Sequence, residues 1–123
     1  MKQIQVLTYT EKHSRFLIYT YEVSSCEDGK KAFAEVKSLN PKADHVLRAS
    51  RTQNNFGVYV EESSEDKEPI SSMRKTAGLL VKKDIRDKAV FIVRYFGGTK
   101  FGASHLDQVY FRLALQGLES KAF

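Results

Sequence analysis

The 123 residues include one cysteine, no tryptophan and only two prolines. Cys26 alone excludes an internal disulfide and any zinc site built from several cysteines. Long apolar runs are absent too. The longest, residues 89–93 (AVFIV), is far short of the ~20 residues a membrane helix requires. The first residues, MKQIQV, carry no apolar core of a secretory signal, so a cytoplasmic, membrane-free location is expected. No repeat or low-complexity tract interrupts the chain. What is present is ordinary for a folded domain: 41% hydrophobic and 28% charged residues, with eight phenylalanines and six tyrosines. Length and composition suit one domain over residues 1–123.

The net charge is +5, and it is unevenly spread. Residues 61–68 (EESSEDKE) hold five acids and one lysine; the remainder carries 19 basic and 10 acidic residues, a net +9. A basic body with one acidic loop suits an anionic partner: RNA, a phosphate ligand or an acidic protein surface.

Periodicity divides the chain. Ile4, Val6 and Thr8 alternate with polar neighbours as in a half-buried strand. Residues 14–23 (SRFLIYTYEV) place Phe16, Ile18 and Thr20 on one face and Leu17, Tyr19, Tyr21 and Val23 on the other. Ser24 or Ser25 caps a helix carrying Ala32, Phe33, Val36 and Leu39, which Asn40-Pro41 ends. Residues 45–51 and 56–62 read as a hairpin, with Asn54 and Asn55 supplying left-handed turn conformations. Ser71 or Ser72 caps a second helix running to about residue 83. Residues 88–94 (KAVFIVR) have the continuous apolar character of a central strand. Ser104 caps a last helix with Leu106, Val109, Tyr110, Leu113, Ala114 and Leu118 inward. The order β-β-α-β-β-α-β-α predicts an α/β (α+β) two-layer sandwich: a mixed sheet with helices mainly on one face.

The most informative stretch is residues 93–102 (VRYFGGTKFG). A buried strand ends at Arg94 and Tyr95. Gly97 and Gly98 allow close backbone approach and positive φ, and a helix start follows Gly102, with free N–H groups that favour an anion. Arg94 and Lys100 add charge. The bland alternative is a tight strand-to-helix turn. No Walker loop or dinucleotide fingerprint is present. His45 opens the hairpin and can face Glu68 or Arg94 across the sheet, either as an acid/base or ligand-binding group or as a structural histidine. Asp66 and Glu68 read as part of a solvated acidic turn. Tyr19, Tyr21 and Tyr59 suit base stacking if exposed and core packing otherwise. The sequence offers no catalytic spacing and no metal-ligand pattern, and calls for no cofactor.

Arg94-Tyr95-Phe96-Gly97-Gly98 followed by Lys100-Phe101-Gly102 resembles the R-Y/W-F/Y-G-G-x-K-L-G signature of the YigZ/IMPACT family. Ser14-Arg15-Phe16, Ala43-Asp44-His45 and Glu65-Asp66-Lys67-Glu68-Pro69 are similar to further family segments, in the family's order. The resemblance runs from about residue 12 to residue 118. It departs where the family has glycines: at Lys67, at Ser71 and Arg74, and at Ser104 and His105. Eukaryotic members also replace that last pair, so the chain looks IMPACT-like. The resemblance implies a fold like domain IV of elongation factor G and a small-subunit ribosomal protein domain. It implies a non-catalytic cytoplasmic binding domain in translation control, with a translation-control protein or the ribosome as partner. The alternatives are a sequence-tolerant RNA binder and a small hydrolase or phosphate-ligand enzyme using His45 with Glu68. The binding residues expected on these grounds are Arg94, Tyr95, Gly97, Gly98, Lys100, Gly102, His45 and Glu68.

Overall fold

A computed structural model describes residues 1–119. Strands β1 (Lys2–Glu11) and β2 (Ser14–Glu22) form a hairpin, followed by helix α1 (Cys26–Leu39). Strands β3 (His45–Gln53) and β4 (Tyr59–Ser64) form a second hairpin. Helix α2 (Ser72–Lys82), strand β5 (Lys88–Tyr95) and helix α3 (Ala103–Leu118) complete the α+β order expected.

The five strands lie in the order β1-β2-β5-β3-β4. Every strand pair is antiparallel, which corrects the expectation of a mixed sheet. The helical crossovers cause the difference. α1 links β2 to β3 and α2 links β4 to β5, each skipping one position. β5 fills the first gap and runs opposite to both neighbours. Among the described residues one isolated parallel bridge joins Ser25 to Gln53 at the end of β3.

The period-two pattern sorts the core into two clusters. Phe16, Ile18, Leu47, Val90 and Ile92 pack beneath α2 and α3 with Met73, Leu80, Tyr110 and Leu113. Tyr19, Tyr21, Phe91 and Val93 pack on the other face beneath α1, against Ala32 and Val36. Two helices therefore share one face and the third covers the other. β5 is buried from Ala89 to Arg94, as its apolar run predicts. Each large side chain buried there contributes about 1.5–3 kcal/mol of transfer free energy.

Local chemistry accounts for most boundaries. The Ser25 hydroxyl accepts the Asp28 N–H at 3.0 Å and starts α1. The second hairpin turn lies at residues 54–58, a few residues later than its composition suggests. Gly57 takes the left-handed conformation, φ +75°, and Asn54 works through its side chain, accepting the Phe56 and Val58 N–H groups. α3 starts at Ala103 with Gly102 as its cap, so Ser104 lies inside the helix. Among the described residues no helix is long and apolar enough to cross a membrane.

Candidate functional site

The site grows from the carboxyl end of β5. Strand alternation puts Arg94 on the face covered by α2 and α3, where a guanidinium needs partners. It is only 4% exposed. Its Nη1 donates to Glu68 Oε2 at 2.9 Å, and its Nε and Nη2 each lie 3.3 Å from Ser14 Oγ. The Tyr110 hydroxyl of α3 donates to the same Glu68 oxygen. Opposite Arg94 in the sheet register stands His45. Its Nε2 is 3.3 Å from Glu68 Oε1, and its Nδ1 donates to the Asp66 carbonyl at 2.9 Å. His45, Glu68 and Arg94 thus meet, joined by Ser14 and Tyr110, neither of which was among the expected binding residues. Burial pushes the Tyr110 hydroxyl well above the usual tyrosine range, and the negative charge of Glu68 pushes it further.

The loop that delivers Glu68 is more ordered than a solvated acidic turn. The Asp66 carboxylate accepts the Val46 N–H at 2.7 Å. The Glu65 carboxylate accepts the Met73 and Arg74 N–H groups at 3.1 and 3.0 Å, closing the α2 start that Ser71 leaves without a side-chain bond. Glu68 is buried. Lys67, standing at a family glycine, has φ +65°, so the lysine adopts a left-handed conformation that glycine takes freely. Asp107 of α3 accepts the Ser71 N–H and pairs with Lys75 at 3.0 Å. Burial works against its negative charge, but these partners prevail and hold its carboxyl below the usual range.

The glycines beyond Arg94 have internal causes. A Cβ on Gly97 would stand 2.0 Å from the His13 carbonyl oxygen, because the β1–β2 turn presses against this loop. Gly98 and Gly102 take φ of +92° and +80°. Asp44 accepts the Phe96 N–H at 2.7 Å and fixes the start of the loop. Tyr95 points to the opposite side of the sheet: its hydroxyl donates to Asn40 at 2.7 Å and its ring lies beneath Arg15.

Outward from the buried network, Phe96 and residues 97–100 are exposed. A cleft of about 250 Å³ has Arg94 and Glu68 at its base and Lys100 at its rim, with apolar walls from Pro69, Phe96, Phe101 and Leu106. A shallower one of about 380 Å³ adjoins it through Glu68, Pro69 and Ala103. His45 lines neither. Lys12 adds a second cation, 5.7 Å above the Phe101 ring. Tyr19 and Tyr21 are core residues, and the Tyr59 ring lies against the Arg51 and Arg86 guanidiniums while its hydroxyl bonds Asp87. Among the described residues, no group of three or more His, Cys, Asp or Glu could hold a metal ion.

An antiparallel five-stranded α+β domain, with a buried Glu-Arg-Tyr network and a half-buried His45 beneath a glycine-rich loop, is the class that the fold and site define. Residues 12–118 match the Impact N-terminal domain, and the chain belongs to that family. It is 28% identical over 110 residues to the IMPACT family member YvyE of Bacillus subtilis (strain 168), covering 85% of this chain and 48% of the relative. The chain thus spans about half the length of the curated relative it matches. Its fold is similar to a crystal structure of a hypothetical protein, with TM-score 0.81 and 22% identity over 94% of this chain and 56% of that one. It is also similar to the two-domain translational regulator Yih1, with TM-score 0.51 and 22% identity over 94% of this chain and 46% of that one.

Proposed function

We propose that this domain is a non-catalytic cytoplasmic binding module that regulates translation by docking a protein or the ribosome at the corner formed by residues 96–102. One observation carries the reading. The groups with acid/base character, His45, Glu68, Arg94 and Tyr110, are engaged with one another, while Phe96 and Lys100 stand outward above them. The buried network acts as a brace for the loop, and the loop makes the contact. Arg94 then supports binding by holding the base of the cleft, with Lys100 as the outward cation. Family membership and the fold shared with a translational regulator support the cellular setting. The test is capture from cell lysate on the immobilised domain, with and without RNase, read by mass spectrometry. Recovery of a translation component after RNase treatment is expected; recovery of none in either sample refutes the reading.

A second reading, RNA binding, draws support from Lys100, which lines one cleft with the half-exposed Phe96, and from Lys12 over the Phe101 ring of the same cleft. It predicts affinity for an RNA oligonucleotide that falls steeply with salt. Affinity indifferent to salt excludes it.

A further inference from the structure

The cleft beside Lys100 has a shape and chemistry that select among partners. Its base is occupied by polar groups engaged mainly with one another: Arg94 is bonded to Glu68 and Ser14, and Glu68 also to Tyr110. Its walls are apolar, from Pro69, Phe96, Phe101 and Leu106. A nucleobase seated against those apolar walls would bury several ring nitrogens and carbonyl oxygens, of which only those within reach of Lys100 or of a spare Arg94 N–H find a donor, and leaving the others unpaired is costly. An aliphatic or aromatic side chain carries no such cost. About 250 Å³ accommodates one such side chain with room to spare. Around the mouth the charge is positive. Lys100 and Lys12 are exposed, and among the described residues neither has an acidic partner within ion-pair distance. The nearby acids Glu68, Glu11 and Asp107 are engaged with Arg94, His105 and Lys75.

We infer that this cleft binds a short acidic peptide segment of a protein partner, with one apolar anchor side chain seated between Phe96, Phe101 and Leu106 and flanking carboxylates at Lys100 and Lys12. The inference rests on the docking function proposed above and gives that docking its chemistry. An apolar anchor supplies affinity, and the cations select the sequence around it. The Arg94–Glu68 pair supplies no new bond to the peptide. It keeps the base of the cleft rigid, so little ordering is needed on binding.

The test uses fluorescence anisotropy with a labelled peptide, Asp-Glu-Glu-Leu-Phe-Glu-Asp. Three probes accompany it: the same peptide with Ser-Ser replacing Leu-Phe, a version with lysines replacing the acids, and oligouridylate RNA. The acidic peptide is expected to bind, more weakly as salt rises. Removing the anchor weakens binding by more than about tenfold, the equivalent of one lost buried side chain. Lys100→Glu weakens it by about tenfold through lost attraction and added repulsion. Phe96→Ala, at a half-exposed position, weakens it as well. Lys30→Glu, on α1 across the sheet, leaves it unchanged. No binding, binding indifferent to the anchor, or binding indifferent to Lys100→Glu overturns the inference. Oligouridylate that displaces the peptide and itself depends on Lys100 also overturns it, while leaving the docking function standing. The docking function fails separately, if lysate capture yields no translation component.

Discussion

Replacing Arg94 by methionine removes the cation from a pair in which Arg94 is 4% and Glu68 8% exposed. Methionine retains much of the side-chain length and apolar contact, so the change reports mainly on charge. Glu68 then keeps the Tyr110 hydroxyl and His45 but loses its 2.9 Å partner and is left as an uncompensated buried carboxylate. Breaking a buried pair from one side costs about 3–5 kcal/mol. That is a large part of the ~5–15 kcal/mol by which such a domain is stable. With an m-value of about 1.5 kcal/mol per M, the urea midpoint falls by roughly 2 M or more. The triple variant Arg94→Met/Glu68→Leu/Tyr110→Phe recovers most of that loss. It removes the charges and the buried hydroxyl together, and half-buried His45 can reach water. Urea unfolding followed by circular dichroism measures both. A loss below about 1 kcal/mol for Arg94→Met, or a triple variant as unstable as the single one, refutes the claim that the pair is a buried brace.

Three further outcomes follow from the geometry. The folded-state pKa of Tyr110 lies above the ordinary 10.0, so above pH 10 the unfolded chain releases a proton that the folded chain keeps. Stability therefore falls as pH rises beyond 10, by up to about 1.4 kcal/mol per unit from this group, and Tyr110→Phe flattens that part of the profile. Urea midpoints between pH 8 and 11 check it, and parallel profiles contradict it. Lys67→Gly relieves the left-handed strain at φ +65° and raises the melting midpoint, by an effect of up to about 1 kcal/mol; a lower midpoint contradicts it. Gly97→Ala forces a methyl group to 2.0 Å from the His13 carbonyl and costs about 1–3 kcal/mol. A neutral melt there would mean the β1–β2 turn is not pressed against the loop.

Much of the fold was legible because its signals are local. The alternation of residues 14–23 assigned both faces of β2, and the apolar run of residues 88–94 marked the central strand. Asn40-Pro41 ended α1 where expected. Strand direction was not legible, since it depends on β5 inserting between β2 and β3, a long-range event that no local pattern reports. The turn at residues 54–58 was misplaced because asparagine and glycine compete for left-handed positions, and Gly57 takes it. At the site, the meeting of His45, Glu68 and Arg94 was foreseen as one of several arrangements. The depth of Glu68 was not, because five acids in eight residues look like solvated surface. The internal uses of Glu65, Asp66 and Glu68 emerge only when α2, β3 and β5 converge. Ser14 and Tyr110 were visible as a strand start and a helix core position, with nothing in their neighbours to mark them as partners of Arg94.

If the exposed corner at residues 96–102 makes the functional contact, reversing its charge must weaken that contact. Side-by-side capture from lysate by the wild-type domain and by Lys100→Glu, both verified as folded by circular dichroism, tests it most directly. Translation components recovered on the wild type are expected to be lost or strongly depleted on the variant. Equal recovery on the two would contradict it.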